Sequence, residues 1–354
     1  MIYPFLPSEM MQMVGEIPAP KPSIENKINK YVTSWLGDCL DVLPVINKTV
    51  QTIVTSPPYF GLRDYGIPPS RWPAVRYAPL AGLPEITIPA QDVCLGLEET
   101  IEAYIGHLVH VFRHARHLLA EDGTVWLNAG DSYSQTDKWG GSSGGKNYTS
   151  DLGGIPRKKR ELGIPTKNLL MVPARLALAL QAEGWYLRSE IIWHKPNVMP
   201  ESVKDRPTHA HEQIFLLSKS EKYYYDYEAI KEPAQDWGSR DRTNGKYHNE
   251  GTGLKPHSGL EKSYEQRNKR SVWSVPTKPY TEAHFAVFPP DLIEPCILAG
   301  SKPGDVVLDM FGGSGTTAMV ATKHKRRSIL IEVNPEYVEL QTDRTDAVQF
   351  ALVS

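Results

Sequence analysis

The chain has 354 residues, 40% of them hydrophobic and 23% charged, with a formal net charge of −2, values that fit one large globular domain or one domain carrying an elaborated insertion. No apolar run approaches the roughly 18 residues needed to cross a bilayer, so no membrane span is expected. The three cysteines, Cys39, Cys94 and Cys296, are far apart and form no CxxC pair, which argues against a disulfide framework or a zinc site and makes a reducing cytoplasm the expected compartment.

Residues 1–30 are proline-rich and aperiodic and are predicted to form an N-terminal arm; no cationic leader precedes an apolar stretch, so no secretion signal is expected. A strand is predicted over 31–36, a turn and short helix over 37–43, and a β-branched strand over 50–55 that must stop at Pro57 and Pro58, which have no N–H for a ladder. Residues 61–97, rich in Pro, Gly and Arg, read as a long surface loop. The spacing of Ile101, Tyr104, Ile105, Leu108, Val111, Phe112 and Leu118 predicts a helix over 98–120, followed by a strand over 124–128. A β–loop–α–β progression of this kind favours a parallel sheet covered by helices. A second loop is predicted over 131–168, a helix over 169–183, a strand over 186–193, and two further strands, possible partners, over 211–217 and 222–227. Residues 231–275 are polar, basic and dotted with aromatics, the composition of an insertion. A helix over 290–299, a buried-type strand over 305–309, a glycine loop, a helix over 316–324 and a strand over 327–331 complete a βαβ unit. The chain therefore divides into an arm (1–30), a first half (31–230), an insertion (231–275) and a second half (276–354).

Positive charge is local. Between Arg240 and Lys278 nine basic residues stand against four acids, a net charge of +5, and a second cluster is Arg157-Lys158-Lys159-Arg160. Such segments can bind phosphates in a near-neutral protein; the plainer reading of each is a solvated loop. The candidate nucleic-acid contacts are Arg157, Lys158, Lys159, Arg160, Arg240, Arg242, Arg267, Lys269 and Arg270.

The glycine loop runs through Asp309, Met310, Phe311, Gly312, Gly313, Ser314, Gly315, Thr316 and Thr317. Glycines admit positive φ and a close ligand approach. Glu332, about 20 residues on, stands where an acid would accept hydrogen bonds from both ribose hydroxyls. The loop therefore implies an adenosine-bearing ligand. No Lys-Ser/Thr follows it, which excludes a phosphate-binding P-loop. The 22 residues after Glu332 are too few to complete a dinucleotide fold downstream, which weakens a nicotinamide-dinucleotide reading. Asp309 suits a ligand with an amino group or positive charge near the ribose, as S-adenosylmethionine has.

Ser56-Pro57-Pro58-Tyr59 is a strand-end turn stiffened by two prolines. It offers a rigid platform of acceptors, the Ser56 hydroxyl and the Pro57 carbonyl, and a Tyr59 ring on which a base can stack. The exocyclic amino nitrogen of cytosine or adenine is a poor nucleophile because its lone pair is delocalised. Hydrogen bonds from both amino protons to such a platform would draw it toward a tetrahedral form, aimed at an electrophilic methyl group.

Together these motifs resemble the β group of DNA amino-methyltransferases, in which the catalytic motif precedes the cofactor motif. Thr55 to Tyr59 and Asp309 to Thr317 carry the likeness. Gly37-Asp38-Cys39, Ile191 to Asn197 with Met199-Pro200 and Asp205-Arg206, His284 to Pro290, and Ile331 to Tyr337 extend it over roughly 30–340. The resemblance implies an α/β, Rossmann-like class I methyltransferase sheet, mostly parallel with a terminal antiparallel hairpin. Its motif order would be circularly permuted, with a target-recognition region inserted at 231–275. It implies S-adenosyl-L-methionine as cofactor, held by Asp38, Thr55, Phe288, Asp309, Phe311, Gly312, Gly313, Ser314, Gly315, Thr316, Thr317 and Glu332. It implies Ser56, Pro57, Pro58 and Tyr59 as catalytic residues, a base flipped out of double-stranded DNA, and a cognate restriction endonuclease as a candidate partner. Adenine-specific members usually carry Asp where this chain has Ser56, so N4 of cytosine is the expected target and N6 of adenine the alternative. Met310 and Gly312 depart from the proline and cysteine found in many members.

The rivals are a nicotinamide-dependent enzyme, a catalytically silent DNA-binding homologue, a methylase of RNA or protein, and a C5-cytosine methyltransferase using Pro295-Cys296. The last dipeptide lies in an apolar helical stretch before the glycine loop, where a core cysteine is expected. His107, His110, His114 and His117 share a helix with no obvious cluster of Cys or acids, so no metal site is expected.

Overall fold

The computed structural model describes residues 23–62, 66–134, 162–234, 265–277 and 288–353. In chain order the elements begin with β1 (Ile24–Lys27), β2 (Val32–Leu36), α1 (Cys39–Val42) and β3 (Val50–Thr55). Four short strands follow, β4 (Ser70–Trp72), β5 (Val75–Tyr77), β6 (Ile86–Ile88) and β7 (Gln91–Val93), then α2 (Ile101–Leu118), β8 (Leu119–Ala129), α3 (Val172–Ala182), β9 (Tyr186–His194) and β10 (His211–Ser218). The chain closes with β11 (Glu232–Pro233), β12 (Gln266–Arg267), β13 (Val272–Ser274), α4 (Pro290–Gly300), β14 (Val306–Asp309), α5 (Thr316–Lys323), β15 (Arg327–Glu332) and α6 (Pro335–Val353).

Among the described residues the main sheet has nine strands in the order β1-β2-β15-β14-β3-β8-β10-β9-β13. Strands β2, β15, β14, β3 and β8 are parallel; β10 runs antiparallel between β8 and β9. This is the α/β, Rossmann-like arrangement with its antiparallel pair. The permuted order has a physical form: the last two strands of the chain slot between β2 and β3. Residues alternate across the strands to feed two cores. Ile53, Val125, Leu127, Leu217 and Leu308 face α2 and α3, whereas Val54, Trp126, Leu216 and Val307 face α4 and α5.

Four regions differ from the sequence expectation. Within the arm, Ile24–Lys27 pairs antiparallel with β2. The segment 61–97 is not a plain surface loop: β4 pairs β7, β5 pairs β6, and Trp72, Val75, Tyr77 and Ile88 are buried. Each strand is only three residues long, too short to show a period among the prolines. Residues 222–227 form no strand; Tyr224 N–H instead donates to the Asp122 carbonyl at 2.8 Å. Finally, Val272–Ser274, inside the expected insertion, is the edge strand of the main sheet, and Trp273 is buried in its core.

The 61–97 segment is fastened to α2 through a buried pair. His107 Nδ1 lies 2.9 Å from Glu98 Oε1, and both side chains are fully enclosed. Glu98 Oε2 accepts from Gly96 N–H at 2.8 Å, and the His107 ring stacks on Trp72 at 4.2 Å. His107 thus meets an acid that its own helix did not reveal. Removing one partner of a buried pair leaves the other without compensation. His107→Ala is therefore expected to lower unfolding stability by about 3–5 kcal/mol, measured as a fall in the urea midpoint.

Candidate active site

Parallel register brings the carboxyl ends of β2, β15, β14, β3 and β8 to one edge of the sheet, where open α/β sheets bind ligands. Each of the first four of those ends carries a residue singled out above: Asp38 after β2, Glu332 at β15, Asp309 at β14, Thr55 at β3. The segments 55–59 and 309–317 therefore meet. Thr55 Oγ1 donates to Asp309 Oδ1 at 2.7 Å, Thr317 Oγ1 donates to Asp309 Oδ2 at 2.7 Å, and Phe311 N–H donates to Oδ1 at 3.1 Å. Asp309 is 1% exposed. Burial pushes its carboxyl group up to about 6, against the pull of these three donors. Its oxygens thus tie the two motifs together.

The glycine loop is folded tightly on one side and open on the other. Gly315 takes φ +85°, and a Cβ there would stand 3.0 Å from Gln341 Cγ. Gln341 Nε2 donates to the Gly313 carbonyl at 2.7 Å, and Arg344 donates to Ser314 Oγ at 2.6 Å and Thr316 Oγ1 at 3.0 Å, so α6 braces the loop. At Gly313, φ +48°, a Cβ would meet nothing nearer than the Phe311 carbonyl at 4.0 Å, which leaves that backbone open to a ligand. Glu332 Oε2 accepts from Gly313 N–H and Oε1 from Asn334 N–H, both at 2.8 Å. Burial, reinforced by the Asp309 charge, raises the Glu332 carboxyl to about 7, while the N–H groups of Asn334, Gly313 and Val333 pull it down. Gly37 N–H donates to the Glu332 carbonyl at 2.9 Å. Asp38 caps α1 by accepting from Leu40 N–H at 2.9 Å and also accepts from the Ser70 hydroxyl.

At the other end of the platform, Tyr104 Oη donates to the Pro58 carbonyl at 2.8 Å. Ser56 Oγ lies 3.3 Å from the Tyr59 hydroxyl and 3.4 Å from Asn128 Oδ1. Tyr59 Oη lies 2.7 Å from Glu212 Oε2 and 2.9 Å from Asn128 Oδ1. Asn128 Nδ2 donates to Glu212 Oε2 at 3.1 Å and to the Gln213 carbonyl at 3.2 Å, and Lys195 donates to Glu212 Oε1. Desolvation and the Glu212 charge hold the Tyr59 phenol well above its usual range, so it stays protonated. The backbone of Gly130 lies against the ring: a Cβ there would stand 2.3 Å from Cε2.

Lys195 lies in the Ile191 to Asn197 block that carried part of the family resemblance, whereas sequence reasoning missed Asn128, Gly130 and Glu212. Their signal was faint: a polar residue closing the apolar run of β8, and an acid opening that of β10. Because β10 is antiparallel, its amino end arrives at the same sheet edge as the carboxyl ends of the others, with Gln213 opposite Ala129.

Other candidates have local partners. Arg267 and Arg270 both donate to Glu232 Oε1, at 2.9 and 2.7 Å, and Lys269 sits 5.0 Å above the Trp273 ring. Phe288 packs half-buried against the α4 side of the sheet. Arg157, Lys158, Lys159, Arg160, Arg240 and Arg242 lie outside the described residues. Cys296 is 1% exposed, and burial pushes its thiol far up; it is a core residue. Among the described residues no group of three or more His, Cys, Asp or Glu could hold a metal ion, and no helix is long and apolar enough to cross a membrane.

A family model for DNA methylases, N6_N4_Mtase, matches residues 50–343. The Type II methyltransferase M.Cfr9I of Citrobacter freundii is 42% identical over 313 residues, 88% of this chain and 87% of the relative. M.SmaI of Serratia marcescens is 41% identical over 310 residues, 87% and 89% respectively. Among solved structures, the cytosine-N4-specific PvuII DNA methyltransferase is similar with a TM-score of 0.56 at 18% identity, covering 91% of each chain. A putative DNA modification methylase of Thermus thermophilus, complexed with S-adenosyl-L-methionine, is similar with a TM-score of 0.51 at 21% identity, covering 90% of this chain and 93% of that one.

The packing of Gly130 on the Tyr59 ring generates an expectation of its own. Gly130→Ala must displace the ring, and overpacking of this kind costs about 1–3 kcal/mol; urea unfolding should show the loss.

Proposed function

The chain belongs to the N6/N4 DNA methylase family, and from that premise we propose that it transfers a methyl group from S-adenosyl-L-methionine to the exocyclic N4 amino group of cytosine in a base flipped out of double-stranded DNA. The observation that carries this reading is the Thr55–Asp309 hydrogen bond at 2.7 Å, which holds the acceptor platform against the glycine loop. The cofactor fits the cradle. The open side of Gly313 admits a ligand to the backbone. The Glu332 carboxyl, beside that glycine, accepts the donors that ribose hydroxyls present. Phe311 and Thr316 of the loop, Asp38, whose neighbour Gly37 donates to the Glu332 carbonyl, and Phe288 are assigned to the same cradle.

S-adenosylmethionine supplies a methyl group on a sulfonium, an electrophile that leaves as a neutral thioether. The protein's part is to place and polarise the nucleophile. The two amino hydrogens of the base donate to Ser56 Oγ and the Pro57 carbonyl. Their alignment on a stiff turn draws the nitrogen lone pair out of the ring and toward the methyl group, so positioning and fixed dipoles do the catalytic work. The amino nitrogen would gain the methyl group as the sulfur keeps the electron pair of the broken carbon–sulfur bond, and one amino proton would pass to solvent. Tyr59 offers its ring to the flipped base. Serine at 56, where adenine-specific members usually carry Asp, favours cytosine over adenine. Lys269, Arg267 and Arg270, with the basic residues at 157–160, 240 and 242, are assigned to DNA phosphates, and a cognate restriction endonuclease is a candidate partner.

Ser56→Ala is expected to lower turnover about 100- to 1,000-fold, the scale of one lost transition-state hydrogen bond, with cofactor affinity preserved; tritium transfer to unmethylated genomic DNA measures it, and an unchanged rate would refute the platform. Nucleoside mass spectrometry of that DNA should show N4-methylcytosine; N6-methyladenine would establish the alternative target. Glu332→Ala should weaken cofactor binding at least about tenfold, one charge-assisted hydrogen bond or more. The ribose hydroxyls need the ionised Glu332, whose carboxyl sits at about 7. Affinity is therefore expected to be flat above pH 7 and to fall as pH drops below it, by up to about tenfold per unit. Calorimetric titration across that range, with Glu332→Gln as the pH-insensitive control, checks the sign.

A further inference from the structure

A serine hydroxyl is both donor and acceptor. To receive a hydrogen from the amino group of a base, Ser56 must send its own proton elsewhere and present a lone pair to the pocket. If it turned the other way, its O–H would face the amino hydrogens and repel them. Two acceptors for the Ser56 proton are within reach, Tyr59 Oη at 3.3 Å and Asn128 Oδ1 at 3.4 Å. Both are oriented by the same atom. Tyr59 Oη gives its proton to Glu212 Oε2 at 2.7 Å, which leaves its lone pairs turned to Ser56. Asn128 gives Nδ2–H to Glu212 Oε2 at 3.1 Å and to the Gln213 carbonyl at 3.2 Å, which turns Oδ1 toward Ser56 and Tyr59. The far oxygen of Glu212 is taken by Lys195, a donor with no acceptor capacity. The donors of Tyr59, Asn128 and Lys195 thus converge on the Glu212 carboxylate, with one further hydrogen bond from Asn128 to the Gln213 carbonyl.

We propose that Glu212 is a positioning residue that sets the direction of this hydrogen-bond chain, so that Ser56 meets the target amino group as an acceptor. The proposal rests on the platform reading of Ser56 given above. Glu212 itself acts only through Tyr59 and Asn128. Polarity, more than charge or packing, is what it supplies, and an isosteric change can reverse polarity without changing shape. In Glu212→Gln the amide oxygen is claimed by Lys195, because Lys195 can only donate. The amide nitrogen then faces Tyr59 and Asn128 as a donor. Tyr59 must accept from it and turn its own proton toward Ser56 or Asn128, and the Ser56 proton is driven into the pocket.

The test is a set of variants assayed for kcat and KM on unmethylated genomic DNA with tritiated S-adenosylmethionine, with cofactor affinity measured separately by calorimetry. Glu212→Gln is expected to lower kcat at least tenfold with cofactor affinity within twofold of the parent. Adding Lys195→Met frees the glutamine amide to turn its oxygen back to Tyr59, so the double variant should recover at least threefold of that loss. Because Lys195→Met also removes the cation that Glu212→Gln leaves without its counter-ion, the recovery reports polarity only where Glu212→Gln keeps the parental urea midpoint, which is measured alongside. In a Ser56→Ala background, Glu212→Gln should cost less than twofold more, because the hydroxyl it orients is gone. An unchanged kcat in Glu212→Gln, no recovery in the double variant, or full additivity with Ser56→Ala would each overturn the proposal. Ser56→Ala alone separates the two readings: if it keeps the parental rate, the platform fails and this inference with it; if it is impaired while Glu212→Gln is not, only the role of Glu212 falls.

Discussion

The buried carboxylate of Asp309 is the joint on which the site depends. It ends β14, and its two oxygens are divided between Thr55 on the neighbouring strand and Thr317 on the following helix, with Phe311 N–H closing the turn. A carboxylate so enclosed is tolerable only when donors satisfy it, and here three do. The arrangement couples two requirements that sequence keeps 254 positions apart. The glycine loop must curl at one set place, and the proline-stiffened turn must begin beside it. Loss of either hydroxyl would leave a buried oxygen partly unsatisfied.

Around that joint the same economy recurs. The platform is held from behind by Tyr104, which donates to the Pro58 carbonyl, and by Gly130, whose missing side chain lets the backbone lie on the Tyr59 ring. The glycine loop is held from behind by Gln341 and Arg344 of α6. Polar groups on the protein side are thus consumed by the protein. Ser56 and Glu332 keep lone pairs to offer, and Gly313, whose N–H and carbonyl are both engaged, leaves open space beside its backbone. Rigidity of this kind is what positioning catalysis requires, since a fixed dipole needs no reorganisation as charge develops.

Two ionisable networks have separate tasks. The Glu98–His107 pair is fully enclosed and fastens the 61–97 segment to α2, which supports the platform through the Gly61–Gly96 hydrogen bond at 2.9 Å. The Glu212 network is only partly enclosed and stands at the mouth of the site. The first stabilises the fold. The second is the network that we propose sets the direction of the Ser56 hydroxyl.

From residue types and spacing alone, the sequence determined the βαβ unit at 305–332, the glycine loop with its acid at Glu332, the rigidity of Ser56 to Tyr59, and the α/β class. These are local properties: proline and glycine act within one or two residues, and periodicity shows within a single strand or helix. Only the tertiary structure decided that Asp309 meets Thr55, that Glu98 meets His107, and that Glu212 and Asn128 lie behind Ser56. Each of these contacts depends on which strands become neighbours and in which direction they run. That choice comes from packing two apolar faces at once. A polar residue at the end of an apolar strand shows nothing in one dimension of the partner it will find across the sheet. The three-residue strands at 70–93 were hidden for the related reason that their order comes from burial against α2, not from any pattern of their own.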